Sequence, residues 1–252
     1  MMMSADKIEY PATLYHYTTI SALHSIVSGI NKETQTFVLH ATHAAWLNDL
    51  KEGAMLPDAL RKCGIKEILI DRLKNMSGWP FVFSLSDLSD DLNMWRCYGA
   101  NGYGVALGFN CDEIKKKFGN DLQKCKYVTE NDLTGTLNMT KLNPDSVANS
   151  GDCLPLAKKL NGALFFKHKT FESEHEWRIV KNEIPSKFKE KQNMMIPFVE
   201  LELPVTALAS ITFGPKCDSD RNEFSICRLL QSCCPCNTVS RLEFNQSQVP
   251  MM

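Results

Sequence analysis

Alternating polar and apolar positions mark a series of short strands along the chain. Thr13–Thr18 alternates and is rich in aromatic residues, and Phe81–Ser86 places two serines on one face and apolar side chains on the other. β-branched and aromatic runs between turn signals predict further strands at 36–41, 105–109, 122–128, 194–203, 208–213 and 238–244. Strands therefore outnumber helices in the predicted fold.

Apolar positions repeating every three to four residues predict helices between these strands. Thr19 is placed to cap a helix from Ile20 to Ser28 that ends at Gly29. Other helices are expected at the later end of 43–60 and at 66–74, 111–118, 154–166 and 220–233. Residues 129–152 predict a long loop, and 183–193 a mobile charged connection.

The order of these elements predicts the fold class. Consecutive strands lack regular helical crossovers, which argues against a doubly wound parallel sheet. We expect an α+β protein with a split, mixed or antiparallel sheet and flanking helices. We expect one domain over residues 1–252, because this length suits a single sizeable core.

Composition excludes several classes of protein. The 252 residues carry a formal net charge of -1, which gives no support to bulk-charge binding of nucleic acid or a membrane surface. No apolar run approaches the roughly 20 residues that a bilayer requires. The first residues lack the basic-then-apolar order of a secretory signal, so we expect a cytoplasmic location and no membrane partner.

Ten cysteines are scattered along the chain, mostly within apolar segments. A single cluster, Cys233-Cys234-Pro235-Cys236, contains a C-x-x-C, with Cys227 six residues upstream. No second C-x-x-C or nearby histidine completes a zinc site. We expect reduced structural thiols there and predict no metal.

The segment Phe171–Lys181, F-E-S-E-H-E-W-R-I-V-K, is the densest group of chemically active side chains. The β-branched residues after Trp177 favour a strand, on which Glu172, Glu174 and Glu176 would share one face. Such a row of carboxylates costs stability through repulsion, so it calls for a reason. The alternative is a helix in which Glu174 and Arg178 form an exposed i, i+4 pair.

Three polar sets lie on predicted strands: His16-Tyr17-Thr18, Ser84-Leu85-Ser86 and Glu174-His175-Glu176. Each has an ordinary structural explanation. The histidine could be a hydrogen-bonded core residue, and the serines could bond neighbouring backbone. The order histidine, S-x-S, E-x-E over one chain is more specific than any one set.

That order resembles the motif order of the ADP-ribosyltransferase superfamily. The chain also resembles a bacterial family, domain of unknown function 2971, over about residues 13–215, with a helix and edge strand following at 216–252. The matching motifs are L-Y-H-Y-T at Leu14–Thr18, L-N-D-x-x-E at Leu47–Glu52, F-S-L-S at Phe83–Ser86, M-W-R-C-Y-G-x-x-G-Y-G at Met94–Gly104 and K-T-F-E-S-E-H-E-W-R at Lys169–Arg178.

The resemblance implies NAD as the donor substrate and a set of catalytic residues. Glu176 would bind the ribose 2′-hydroxyl and stabilise the oxocarbenium-like transition state, and Glu174 would orient or deprotonate the acceptor. His16 would hydrogen-bond a ribose, and Ser84 would position Glu176. The side chains implied to contact NAD are Tyr17, Thr18, Ser84, Ser86, Trp95, Tyr98 and Arg178; an aromatic ring among them would stack on nicotinamide.

The chain departs from the superfamily pattern in two ways. Ser-Leu-Ser replaces Ser-Thr-Ser, and His16 stands where a serine-motif enzyme has arginine. The E-x-E could equally be Glu172-Ser173-Glu174, which moves every role by two residues. The resemblance also leaves open whether Arg178 pairs with a phosphate or with Asp49.

Asn48, Asp49 and Glu52 lie where a loop turns into a predicted helix. They are expected to cap that helix, or to bind an acceptor or close over the pocket. The sequence thus predicts an ADP-ribosyltransferase or NAD glycohydrolase with an unknown acceptor, such as a bacterial toxin or phage-defence effector. The alternatives are a non-catalytic nucleotide-binding sensor and a metal-dependent nuclease using Asp49, Glu52, Glu174 and Glu176.

Overall fold

The computed structural model of the protein describes residues 9–47, 57–68, 70–71, 80–129, 131–134, 161–183, 187–191, 193–234 and 239–250. Its strands are β1 (Thr13–Thr18), β2 (Thr36–His43), β3 (Phe81–Ser86), β4 (Val105–Asn110), β5 (Leu122–Lys124), β6 (Lys126–Val128), β7 (Phe166–His168), β8 (Glu176–Lys181), β9 (Lys187–Lys191), β10 (Met194–Pro204), β11 (Leu208–Phe213) and β12 (Glu243–Gln246). Its helices are α1 (Ile20–Ser28), α2 (Leu92–Cys97), α3 (Cys111–Phe118) and α4 (Ser219–Cys233), and residues 57–62 and 131–134 are also helical.

The chain divides into two compact units, each assembled from separate stretches of sequence. The first contains residues 1–38, 85–120 and 202–252, and the second contains residues 39–84 and 121–201. Three of the four boundaries fall inside β2, β3 and β10, so these strands contribute residues to both units. Neither unit is therefore a continuous piece of chain.

In the first unit, four strands follow the hydrogen-bonded order β12-β11-β4-β1. β4 pairs antiparallel with β1 and β11, whereas β12 joins β11 in parallel. One row of the sheet crosses all four strands through Tyr15, Gly108, Ser210 and Glu243. Leu14, Leu107 and Phe213 are among the side chains that this unit buries.

The second unit contains a separate set of pairings. β5 and β8 are antiparallel, β6 and β7 are parallel, and β9 and β10 are antiparallel. β8 also pairs with β3. A buried cluster that includes Leu60, Val82, Phe165 and Val180 forms the apolar interior beside these strands.

Parallel and antiparallel pairs occur together, so the predicted α+β class with a mixed sheet is confirmed. Several local predictions are also confirmed. Thr19 caps α1 by accepting a hydrogen bond from the Ala22 amide, and Gly29 ends the helix. The prediction of one domain over residues 1–252 stays a prediction.

Some predicted elements were wrong in detail. The strand predicted at 122–128 is two strands, because the chain pairs with β8 as far as Cys125, whose amide bonds the Glu176 carbonyl, and pairs with β7 from Lys126 onward. The end of the helix predicted at 154–166 is a 3-10 turn, Asn161–Phe165, followed by β7. The charged connection predicted at 183–193 contains β9, whose pairing with β10 supplies order that its composition does not indicate. The strand Thr238–Phe244 begins later, at Glu243.

Within the described residues, none of the helices combines the length and apolar character that crossing a bilayer requires.

Candidate functional site

The acidic segment is not one continuous strand, as the sequence predicted. Lys169–Glu174 forms a 3-10 turn, which begins where the His168 side chain accepts a hydrogen bond from the Thr170 amide. His175 then adopts a left-handed conformation with φ 48° and ψ 45°, and β8 starts at Glu176. The shared strand face for three carboxylates is therefore wrong, and so is the helical Glu174–Arg178 pair. The local reason is the capped turn, whose residues are not in an extended conformation. The chain becomes extended again only after His175.

This change of direction brings two carboxylates to a single ammonium group. Lys167 Nζ lies 2.5 Å from Glu174 Oε2 and 2.7 Å from Glu176 Oε2. Lys167 occupies the middle of β7, where its register partner on β6 is Tyr127. Its ammonium also lies 5.1 Å from the centre of the Phe171 ring. The E-x-E carboxylates thus converge on one positive charge.

Arg178 completes this group. Glu176 and Arg178 are two residues apart on β8, so their side chains project from the same face. Arg178 Nε donates to Glu176 Oε1 and Nη2 donates to Glu176 Oε2, both at 2.9 Å, and Nη1 donates to the Leu164 carbonyl at 2.6 Å. We call Lys167, Glu174, Glu176 and Arg178 the ion cluster; its two carboxylates balance its two cations.

Burial makes this balance important. The side chains of Lys167 and Arg178 are 3% and 2% exposed, and that of Glu176 is 6% exposed. A buried ion is costly unless it is paired and its hydrogen bonds are satisfied. Glu174 is different, because 14% of its side chain remains exposed. It is the most exposed side chain of the ion cluster.

Burial also shifts the pKa values within the ion cluster. It raises the pKa of Glu176, against the opposing effect of the Lys167 ammonium and of a hydrogen bond from the Ser84 side chain. Burial alone would lower the pKa of Lys167, but Glu176 and Glu174 outweigh it and raise that pKa. Burial lowers the pKa of Arg178 to about 9, which leaves the guanidinium protonated at neutral pH.

Three further residues hold Glu176 in place. Its backbone amide donates to the Tyr127 hydroxyl at 2.6 Å, and its carbonyl accepts from the Cys125 amide at 2.8 Å. The third is Ser84, whose side chain bonds the carboxylate. Burial, followed by the nearby Glu176 charge, raises the pKa of the Cys125 thiol well above its ordinary value. Cys125 is therefore a protonated structural group and not a thiolate nucleophile.

Sequence reasoning missed Lys167, Tyr127 and Cys125. Lys167 lies within F-K-H-K, a segment that reads as the end of a helix. Tyr127 on β6 and Lys167 on β7 are register partners, although 39 residues lie between them in the sequence. Only this pairing brings the lysine beside the glutamates. Alternation on a predicted strand at 166–168 would have been the one usable signal.

The other predicted site residues lie mostly in the first unit. His16 and Thr18 are half-buried on β1. Ser86 is fully buried, and its hydroxyl accepts a hydrogen bond from the Leu88 amide, as serines beside turns often do. Tyr98 is the residue that ends α2.

Tyr17 and Trp95 are engaged with each other. Their rings meet edge to face with centroids 4.8 Å apart, and Trp95 is fully buried. The Tyr17 hydroxyl donates to the Leu88 carbonyl at 3.0 Å, and the Trp95 indole donates to Asp90 at 2.6 Å. Stacking of either ring on nicotinamide stays a prediction, and it would require the ring to leave this arrangement.

The two units divide the predicted site. His16, Tyr17, Thr18, Ser86, Trp95 and Tyr98 belong to the first unit, whereas Ser84, Glu174, Glu176 and Arg178 belong to the second. A single hollow that contains His16 and the glutamates stays a prediction. Asn48, Asp49 and Glu52, predicted to bind an acceptor or close the pocket, lie outside the described residues.

The described residues contain no group of three or more His, Cys, Asp or Glu side chains arranged to hold a metal ion. Cys227, Cys233 and Cys234 are free thiols, and Cys236 lies outside the described residues. Glu174 and Glu176 instead contact the Lys167 ammonium, which occupies the point where a cation would have to bind both carboxylates.

Comparison with known proteins gives one match. No curated protein and no solved structure matches the chain. Residues 94–179 match the model of a family described as a protein of unknown function (DUF2971). That stretch contains the motifs Met94–Gly104 and Lys169–Arg178, and it includes all four members of the ion cluster and most of β8. This part of the chain is therefore similar to that family.

Proposed function

We propose that the protein is an ADP-ribosyltransferase-like enzyme that consumes NAD, either as a transferase or as an NAD glycohydrolase. The observation that carries the proposal is the convergence of Glu174 and Glu176 on one cation, the Lys167 ammonium, at 2.5 and 2.7 Å. Cleavage of the nicotinamide–ribose bond develops positive charge at the anomeric carbon, so two carboxylates aimed at one point suit that transition state.

The exposures of the carboxylates support a division of roles between them. Glu176 has both oxygens bonded to Arg178 and is nearly buried, which suits a positioning residue. Glu174 is partly exposed, which suits the carboxylate that contacts the ribose. Glu172 is exposed two residues earlier, where it could orient an acceptor. This assignment follows the Glu172-Ser173-Glu174 alternative for the E-x-E.

The reaction can be written with this chain's own groups. The bond between the anomeric carbon and the nicotinamide nitrogen breaks, and the electron pair leaves with nicotinamide. Glu174 stabilises the resulting cation through its negative charge, and an acceptor hydroxyl, amine or water then bonds to the anomeric carbon and loses a proton. A basic group takes that proton, and we assign this role to Glu172.

The experiment is incubation of the purified full-length protein with NAD, followed by mass spectrometry of the small molecules and of the protein. We expect release of nicotinamide, with ADP-ribose either free or attached to an acceptor. NAD binding without nicotinamide release would overturn the enzyme proposal and favour a nucleotide-binding sensor. Chelator-sensitive cleavage of RNA or DNA without NAD consumption would overturn it in favour of a nuclease.

A further inference from the structure

A second, separate cleft opens on the sheet of the first unit. It has a volume of about 480 Å³ and is polar. Thr13 and Tyr15 of β1 line one side, Ser210 and Thr212 of β11 lie in the floor, and Glu243 and Asn245 of β12 line the other side. We call it the sheet-face cleft.

The sequence shapes this cleft through one small residue. Gly108 lies between Tyr15 and Ser210 in the row that crosses the sheet. A Cβ atom at Gly108 would lie 2.2 Å from Ser210 Oγ and 3.0 Å from the Tyr15 ring. The absence of a side chain at Gly108 therefore makes room for the Ser210 hydroxyl and the Tyr15 ring, both of which line the cleft.

The floor of the cleft presents hydrogen-bonding groups. Ser210 and Thr212 line the cleft and are each only 7% exposed. Gln246, which also lines the cleft, has a buried Oε1 without a partner, although its amide nitrogen donates to the Gly214 carbonyl at 2.9 Å. Buried polar groups in native proteins are nearly always bonded, so the Gln246 oxygen left without a partner beside the cleft indicates an external partner.

The charges around the cleft limit the kind of ligand that it can bind. Among the described residues that line the cleft, Arg241 is the one cation, and Glu243 and Asp90 are the anions. Asp90 is committed elsewhere, because it accepts hydrogen bonds from Trp95, Ser247 and the Gln248 amide. The lining thus has no excess of positive charge for a phosphate and mostly presents hydroxyl and amide groups. These groups both donate and accept, as the hydroxyls of a sugar do.

We propose that the sheet-face cleft binds a small neutral saccharide. Tyr15 supplies an aromatic surface beside the ring, and Ser210, Thr212 and Asn245 supply hydrogen bonds to its hydroxyls. The cleft lies wholly within the first unit. The proposal stands on its own and does not depend on NAD chemistry at the ion cluster.

The test is a titration of the full-length, isotope-labelled protein with ribose, glucose, N-acetylglucosamine and maltose, each at millimolar concentration, followed by amide NMR. At least one sugar should give saturable shifts at Gly108 and Thr212. Thr212→Val, which removes a hydroxyl and keeps the shape, should weaken that binding by about two- to tenfold, the scale of one hydrogen bond.

The matched control is Thr206→Val, at an exposed position outside the cleft, which should leave the affinity unchanged. Gly108→Ala should reduce binding further by filling the floor. The proposal is overturned if none of the four sugars shifts these amides, if only inorganic phosphate does so, or if Thr212→Val binds as tightly as Thr206→Val.

Discussion

At the scale of single residues, the ion cluster is a balanced set in which each charge needs its partners. Glu176 receives two hydrogen bonds from Arg178 and one from Lys167, and little of its side chain reaches solvent. The benefit of such a pair over an apolar core is small, but removing one partner leaves a buried charge without compensation. Glu176 is therefore expected to matter first for stability.

We predict that Glu176→Gln lowers the free energy of unfolding by about 3–5 kcal/mol, because it leaves Lys167 and Arg178 with one carboxylate between them. Urea denaturation of the variant and the wild type measures this difference. Glu202→Gln is the control, because Glu202 is exposed on β10 and should change stability by less than about 0.5 kcal/mol. A loss below about 1 kcal/mol in Glu176→Gln would contradict the account of the ion cluster.

His43 gives a prediction about pH. It is buried against Trp46 and Phe81, and burial lowers its pKa to about 4. In the unfolded chain His43 becomes protonated near pH 6.5, whereas in the folded chain it stays neutral to a lower pH. Its contribution to the free energy of unfolding is therefore present above pH 6.5 and is lost as the pH falls from 6.5 towards 4.

Between pH 7 and pH 5 this effect should cost the wild type about 1–2 kcal/mol. Comparing urea unfolding of the wild type and His43→Phe at the two pH values isolates the contribution of His43. The variant should lose less stability on acidification than the wild type does. Equal losses in both proteins would show that His43 does not titrate as described.

At the scale of elements, the local signals were the reliable ones. The capping residue and closing glycine of α1 and the bounds of β1, β3 and β11 depend on neighbours in sequence, and the pattern predicted them closely. The junction at His175 was not predicted, because a left-handed histidine has no sequence signature. β9 was missed for a similar reason, since its order comes from pairing with β10.

The junction at His175 can be tested through its backbone. Left-handed geometry at φ 48° costs most for β-branched residues and little for asparagine. We predict that His175→Val lowers the free energy of unfolding by about 1–2 kcal/mol more than His175→Asn does. Both variants lose the imidazole, so their difference in denaturation isolates the backbone. Equal stability of the two would contradict left-handed geometry at this junction.

At the scale of the whole molecule, the sequence predicted the fold class but not the division of the chain into two units. The order of motifs along the chain mixes residues from the two units, since β2, β3 and β10 each contribute to both. Ser84 beside Glu176 was implied by the family resemblance, whereas Lys167 was not, because its role depends on a strand pair distant in sequence. A single sequence does not show which residues pair between strands that are distant along the chain.

We propose that Glu174 is the carboxylate that contacts the substrate. The most direct measurement is the initial rate of nicotinamide release from NAD by the wild type, Glu174→Gln and Glu202→Gln, each first shown to be folded. Glu174→Gln should be slower by about 100- to 1000-fold, the scale of one lost transition-state contact, and Glu202→Gln should match the wild type. A folded Glu174→Gln protein that releases nicotinamide within about twofold of the wild-type rate would contradict the claim.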